Sequence, residues 1–150
     1  MLKLSRKAEY AIIALKHMLN READHLCTAK EIAERYHISD ELMAKILQKM
    51  SKSGILSSTQ GVRGGYVLGR PAHQITVADI VECIDGPLSI VECATEGGDC
   101  QCVQYSEGVC NISDPFMRIQ NEFKNFLNGI SLADLNQPAK PANRLYRIRV

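Results

Sequence analysis

The 150-residue sequence contains no tryptophan, and aromatic residues make up only 5% of it. No stretch approaches the ~18 consecutive apolar residues that a membrane-spanning helix requires, so no membrane helix is expected. The opening MLKLSRKAEY lacks the apolar run and small-residue cleavage site of a secretory signal, which makes the cytoplasm the expected location. There is no phosphate-binding glycine loop, dinucleotide fingerprint, Ser/His/Asp arrangement or paired-carboxylate site, so an enzyme is not expected. No internal repeat is present, nor any closely paired cysteine knuckle of the zinc-finger kind. Excess charge is missing too: the formal net charge is +1, with 23% charged and 45% hydrophobic residues, which excludes wholesale disorder.

That near-neutral balance conceals an asymmetry. Residues 1–70 carry 12 Lys+Arg against 7 Asp+Glu, a net +5, whereas residues 71–150 carry 6 against 10, a net −4. A basic half joined to an acidic half suggests that one part meets a polyanion and the other has a different task.

The periodicity predicts a mainly α protein with a small β-wing. Leu4, Ala8, Ala11, Ile12, Leu15 and Leu19 follow the helical repeat over residues 4–20. Thr28 and Glu31 form a capping-box pattern, with Glu31 expected to reach back to the Thr28 N–H, ahead of a short helix carrying Ile32, Ala33 and Tyr36 inward. His37-Ile38 makes a tight turn. Ser39 then caps a third helix whose buried stripe is Met43, Ile46, Leu47 and Met50, and Gly54 stops it. Two short strands, Ile55–Ser58 and Tyr66–Leu68, flank the glycine-rich hairpin loop Thr59–Gly65. Thr76-Val77-Ala78-Asp79 opens a further helix, which Asp85-Gly86-Pro87 breaks. After an aperiodic stretch over 93–110, read as an irregular loop, Pro115 opens a helix with the apolar stripe Phe116, Ile119, Phe123, Phe126, Leu127 and Ile130. The expected units are a winged helix-turn-helix domain at 1–70, a connecting helix and linker at 71–92, a cysteine loop at 93–112, a dimerisation helix at 113–135 and a frayed tail at 136–150.

A helix, short helix, tight turn, helix and two-stranded wing, in that order, is a winged helix-turn-helix. Its second helix fits the DNA major groove. On the presented face and cap of that helix stand Ser39, Glu41, Lys45 and Lys49, with Gln48 and Lys52. At the wing tip stand Gln60, Gly61, Arg63 and Gly64. Glycine allows close backbone approach, and arginine suits a base edge or a narrow minor groove. Lys3, Ser5, Arg6 and Lys7 at the start of the first helix lie where free N–H groups take a phosphate. Any one of these features is commonly a plain solvated face or tight turn; their ordered combination in the basic half is what points to double-stranded DNA.

The cysteines cluster differently, as Cys93, Cys100, Cys102 and Cys110. Thiolates spread along one loop can wrap an iron–sulfur cluster. Their neighbours Glu92, Glu96, Asp99 and Glu107 would raise thiol pKa values, which favours metal ligands over nucleophiles. A disulfide or thiol switch and a zinc site are the alternatives. Cys83 reads as a core or helix-flank residue and Cys27 as structural. His17, His25, His37 and His73 show no ligand pairing and read as surface or loop residues.

Several segments resemble the Rrf-two-type bacterial transcription regulators: Leu2-Lys3-Leu4-Ser5 through Tyr10-Ala11, Ile38–Gly54, Ser57–Gly69 and Ile75–Ile80. So do Gly86-Pro87-Leu88, the cysteine loop and Ile130–Leu135. The resemblance spans about residues 1–135, and Met1-Leu2-Lys3-Leu4-Ser5, Gly86-Pro87-Leu88 and Val91-Glu92-Cys93 look most similar to the SUF-operon group within the family. It implies a homodimer in which the helix at about 114–130 crosses to the partner. It also implies a 2Fe-2S or 4Fe-4S cluster on three loop cysteines plus a non-cysteine ligand, for which Glu9 stands at the matching position. Such a protein would act as a repressor of cluster-assembly or iron-homeostasis genes. Cys93 and Cys110 match the outer pair. Either Cys100 or Cys102 is the middle ligand, or all four bind and Glu9 is free. Sensing of nitric oxide or thiol redox state on the same fold, and a cluster-carrying interaction module, are the rival readings.

Overall fold

A computed structural model describes residues 3–22, 25–91 and 102–137. Helix α1 (Arg6–Leu19) starts at Ser5, whose hydroxyl accepts the Ala8 N–H at 3.1 Å and donates to Asp85 Oδ1 at 2.7 Å. Its inner stripe is Ala8, Ala11, Ala14, Leu15 and Met18, all buried. The small side chains let α1 seat closely against α4 (Val77–Asp85) and α3 (Asp40–Lys52). Helix α2 (Ala29–Tyr36) is capped by Thr28, which accepts the Glu31 N–H at 3.1 Å. The return half of the expected box is replaced: the Glu31 carboxylate turns to His17, Arg21 and His25. The Arg21 guanidinium, a charged donor, competes better for a carboxylate than a backbone amide does.

His37 sits in the left-handed region at φ 55°, ψ 46°, and makes the tight turn into α3, which Ser39 caps at Leu42 N (3.3 Å). Met43, Ile46, Leu47 and Met50 are buried as the periodicity predicts. Strands β1 (Leu56–Thr59) and β2 (Gly65–Leu68) pair antiparallel with Leu56 opposite Leu68 and Thr59 opposite Gly65; both reach one residue further toward the tip than the sequence pattern, and β1 starts one residue later. Cys27 adds a bridge to β2 through Cys27 N–Tyr66 O (3.0 Å) and Tyr66 N–Cys27 O (2.8 Å).

Helix α4 carries a complete capping box between Thr76 and Asp79. Short α5 (Val103–Ser106) lies in the stretch read as irregular; four residues are too few to show a helical period. Helix α6 (Ser113–Asn128) packs on α4 through Phe123 and Leu127, reinforced by the Lys124–Glu82 ion pair at 2.9 Å. Its apolar stripe is divided, because Met117, Ile119 and Phe126 remain exposed within one chain. Helix α7 (Leu132–Leu135) returns to the start of α4, where Val77 N meets Ile130 O at 2.9 Å and Leu132 N meets Ile75 O at 2.8 Å. Among the described residues, no helix is long and apolar enough to cross a membrane.

Candidate nucleic-acid interface and sensing region

Helix α3 and the wing border an open groove of about 420 Å³, lined by Gln48, Ser51 and Lys52 from the helix side and Ser58, Thr59, Gln60, Gly65 and Tyr66 from the wing. At the wing tip Gln60, Gly61, Val62 and Arg63 are exposed, and Val62 is fully so. The tip is a tight turn closed by Gly64 N–Gly61 O at 2.9 Å. Gly61 has φ +115°, a conformation that L side chains rarely adopt, and a Cβ on Gly64 would lie 2.3 Å from the Thr59 carbonyl oxygen. These two glycines hold the backbone of the turn that carries Arg63.

The α3 residues are arranged less uniformly than their spacing suggests. Glu41 and Lys45 form an exposed pair at 2.6 Å, and the Lys45 ammonium bonded to Glu41 holds its carboxyl below the usual range. Lys49 donates to the Ile84 carbonyl at 2.9 Å, at the end of α4 where a cation suits the helix dipole. Ser39 uses its oxygen as a cap acceptor. Ser5 at the head of α1 is bound to Asp85, so a carboxylate stands where the sequence suggested a phosphate contact.

Of the proposed cluster ligands, Cys93 and Cys100 lie outside the described residues. Cys102 is exposed, with its thiol donating to Gln104 Oε1 at 3.0 Å, and Cys110 is half-buried; both are free thiols. Glu9 is exposed in the first turn of α1, 3.7 Å from Arg6. Among the described residues, Cys102, Cys110 and Glu9 do not gather into a three-ligand group within one chain. Free soft thiols on a segment of this kind fit an iron–sulfur cluster chemically.

Sequence reasoning passed over two residues. Gln120 of α6 is 4% exposed; its amide nitrogen donates to the Leu88 carbonyl and its Oε1 accepts the Ile90 N–H at 2.8 Å. It therefore fastens the chain just ahead of the cysteine loop to the helix that follows that loop. Its position between Phe116, Phe123 and Leu127 on one helical face was the available signal.

The second is His17, which is 4% exposed and not a surface residue as its isolation in the sequence suggested. Burial is tolerated because Nδ1 meets the Tyr36 hydroxyl at 3.2 Å and Nε2 meets Glu31 Oε1 at 3.1 Å. His25, His37 and His73 are exposed, as expected. Cys27 is fully buried at the bridge to β2, and the Cys83 thiol lies 3.2 Å from the Ser53 hydroxyl on the α4 flank.

Burial pushes the Glu31 carboxyl up, but the His17 and His25 rings bonded to it more than offset that, and its pKa is lowered from the ordinary 4.5. A lowered folded-state pKa contributes stability that is present above the unfolded value and lost as pH falls through the folded one. Glu31→Gln should therefore destabilise the chain by about 1–2 kcal/mol at neutral pH. That deficit should shrink as pH is taken below about 4.5. Urea unfolding of both proteins across pH, in chelated buffer, checks this.

A helix-turn-helix pair followed by a two-stranded wing defines the winged helix-turn-helix class of DNA-binding proteins. Among solved structures the chain is similar to CymR of B. subtilis, described as the global cysteine regulator, with 26% identity and a TM-score of 0.69 over 91% of this chain and 97% of that one. It is similar to T. potens IscR at 25% identity and a TM-score of 0.63, covering 93% and 94% of the two chains. It shares the fold of the oxidized form of Staphylococcus aureus CymR at 21% identity and a TM-score of 0.65, over 93% and 100%. The model of the Rrf2 family, described as iron-dependent transcriptional regulators, matches residues 4–138. The chain belongs to the Rrf2 family; it is a DNA-binding transcription regulator and not an enzyme.

Proposed function

We propose that this chain is a homodimeric operator-binding repressor whose DNA affinity is set by an iron–sulfur cluster on residues 93–112, of the SUF-operon type and directed at cluster-assembly or iron-homeostasis genes. The observation that carries the reading is the attachment of the cysteine loop. Its entrance at Leu88–Ile90 is bonded to Gln120 of α6, and its exit at Cys110 lies three residues before α6. Both ends of the loop thus bear on one helix, whose exposed Met117, Ile119 and Phe126 suit a partner subunit. Cys93 and Cys110 would hold the cluster with Cys100 or Cys102, and Glu9 of the second subunit would complete the set; four cysteine ligands would release Glu9. When bound, the cluster supplies an iron- and redox-sensitive group whose presence changes the ligation of the loop thiolates. The residues 113–135 then transmit loop order to the spacing of the two α3 helices, and half-sites about one helical turn apart make affinity sensitive to that spacing.

On DNA, α3 would present Ser39, Glu41, Lys45 and Lys49 to the major groove, with Lys49 leaving Ile84 to do so. The tip Gln60–Gly64 would enter the adjacent minor groove. Arg63→Ala should lose about 1–3 kcal/mol of operator affinity if the guanidinium reads a base edge, or flatten the salt dependence by about one unit of slope if it meets only a phosphate.

The test is anaerobic purification with iron and acid-labile sulfide counted per chain, followed by operator binding of loaded and cluster-free protein across salt concentrations. Matching iron and sulfide, with different affinities for the two forms, is expected. Equal affinities overturn the reading. A second reading, a dithiol–disulfide switch, draws on the exposed Cys102 and on the likeness to a protein described as a cysteine regulator. It predicts that metal-free protein changes operator affinity with thiol redox state.

A further inference from the structure

We propose that His17, Cys27 and Glu31, with His25 as fourth ligand, form a binding site for a divalent cation of the zinc class between α1, α2 and the base of the wing. The donor atoms of His17, Cys27 and Glu31 all lie within 4.8 Å of one another. His17 Nε2 is 3.1 Å from Glu31 Oε1, and His25 Nε2 is 3.5 Å from Glu31 Oε2. Bond lengths of about 2.0–2.3 Å place the ligand atoms of a tetrahedral zinc roughly 3.3–3.8 Å apart, so small side-chain adjustments close the site.

The surroundings favour a cation. Arg21 already occupies the position of one, donating to Glu31 Oε1 at 2.9 Å and to His17 Nε2 at 3.3 Å. While Nε2 carries the ring proton it is donated to Glu31 Oε1; moved to Nδ1, the proton is donated to the Tyr36 oxygen at 3.2 Å, and Nε2 is then open to accept from Arg21 or to bind a metal. This is the tautomer and outer partner that a metal-binding imidazole requires. Arg21 is 41% exposed and borders, with His25, a cleft of about 510 Å³ beside the cluster, so it can swing out as an ion enters. A cysteine thiol carries its proton at neutral pH until a metal arrives. Binding forms the metal–sulfur bond and releases that proton to solvent. Thiolate and carboxylate then balance the two charges of the ion. The site uses none of the loop cysteines and does not depend on the cluster reading. Because the Cys27 backbone is paired with Tyr66, an ion held there would stiffen the wing against α1 and α2.

The test uses the full-length chain with Cys93, Cys100, Cys102 and Cys110 replaced by alanine, titrated with cobalt(II) and then with zinc(II). One cobalt per chain is expected, with a thiolate-to-cobalt charge-transfer band that zinc abolishes. Cys27→Ser should remove the band. Glu31→Gln should weaken binding about 10-fold or more, since loss of even an outer-shell partner costs that much. Arg21→Ala should tighten binding by removing the competing cation, which a purely structural ion-pair network does not predict. No band in the parent chain, a band that survives Cys27→Ser and so belongs to Cys83, or weaker binding in Arg21→Ala each overturns the proposal. If Cys27→Ser fails to fold, the Arg21 and Glu31 variants decide it.

Discussion

Gln120→Leu should destabilise the chain by about 2 kcal/mol although it preserves the volume of the side chain. The substitution removes one amide donor and one amide acceptor, and leaves the Leu88 carbonyl and the Ile90 N–H without their partner. Orphaning a buried backbone group costs about 1–3 kcal/mol, and these two groups are only partly buried, so water recovers some of the loss. Unfolding in urea would measure the midpoint shift. Hydrogen exchange at the Ile90 amide would localise it, with a rise confined to the segment before the cysteine loop. An unchanged midpoint together with an unchanged Ile90 exchange rate would mean that the clamp is not made in solution. In the proposed regulator the same variant should also narrow the difference in operator affinity between loaded and cluster-free protein, because one of the two loop attachments to α6 is gone.

Gly64→Ala should have the largest effect on DNA binding relative to its effect on folding. Its new methyl would meet the Thr59 carbonyl oxygen at 2.3 Å, with the Gly61 oxygen next at 2.9 Å. Both obstacles are backbone, so the turn must open and Arg63 must change direction. Overpacking of this order costs about 1–3 kcal/mol. The tip lies beyond the last pair of the ladder, Thr59–Gly65, and the core beneath it is untouched. Operator affinity should therefore fall by about 10-fold or more, while circular dichroism shows the helices intact and the thermal midpoint moves by only a few degrees. A variant that binds its operator like the parent would show that the tip does not touch DNA.

The elements that the sequence made legible are those governed by local rules. The stripe of α3, the cap at Ser39, the helix start at Thr76–Asp79 and the glycine-rich hairpin depend on residues within one helical turn or one hairpin of each other, and all are found, the hairpin loop being shorter by one residue at each end. The misreadings share a different cause. His17 and Glu31 are 14 positions apart, Gln120 and Leu88 are 32 apart, and Lys49 and Ile84 are 35 apart. Each pairing joins two elements whose approach is decided by core packing, so no periodicity or spacing encodes it. A lone histidine looks like a surface residue until α2 is laid against α1. The proposed ligand set of the loop was legible only as a group of thiols, because spacing does not choose between Cys100 and Cys102; Cys93 and Cys100 lie outside the described residues.

The seating of α6 has a mechanical consequence. Its hold on the body begins at Gln120 and continues through Phe123, Lys124 and Leu127, and its far end is moored where Ile130 and Leu132 bond to the start of α4. Residues 113–119 precede all of these fixings, with Met117 and Ile119 exposed. At 1.5 Å per residue they form a cantilever about 10 Å long, whose tip a cluster on the cysteines would load in the proposed regulator. In the proposed regulator such a load would act at Gln120 and, through the packing of α6 on α4, would bear on the end of α4. At that end Ile84 and Asp85 hold Lys49 of α3 and Ser5 of α1, so the two helices at the front of the molecule share a single mounting with the beam behind it.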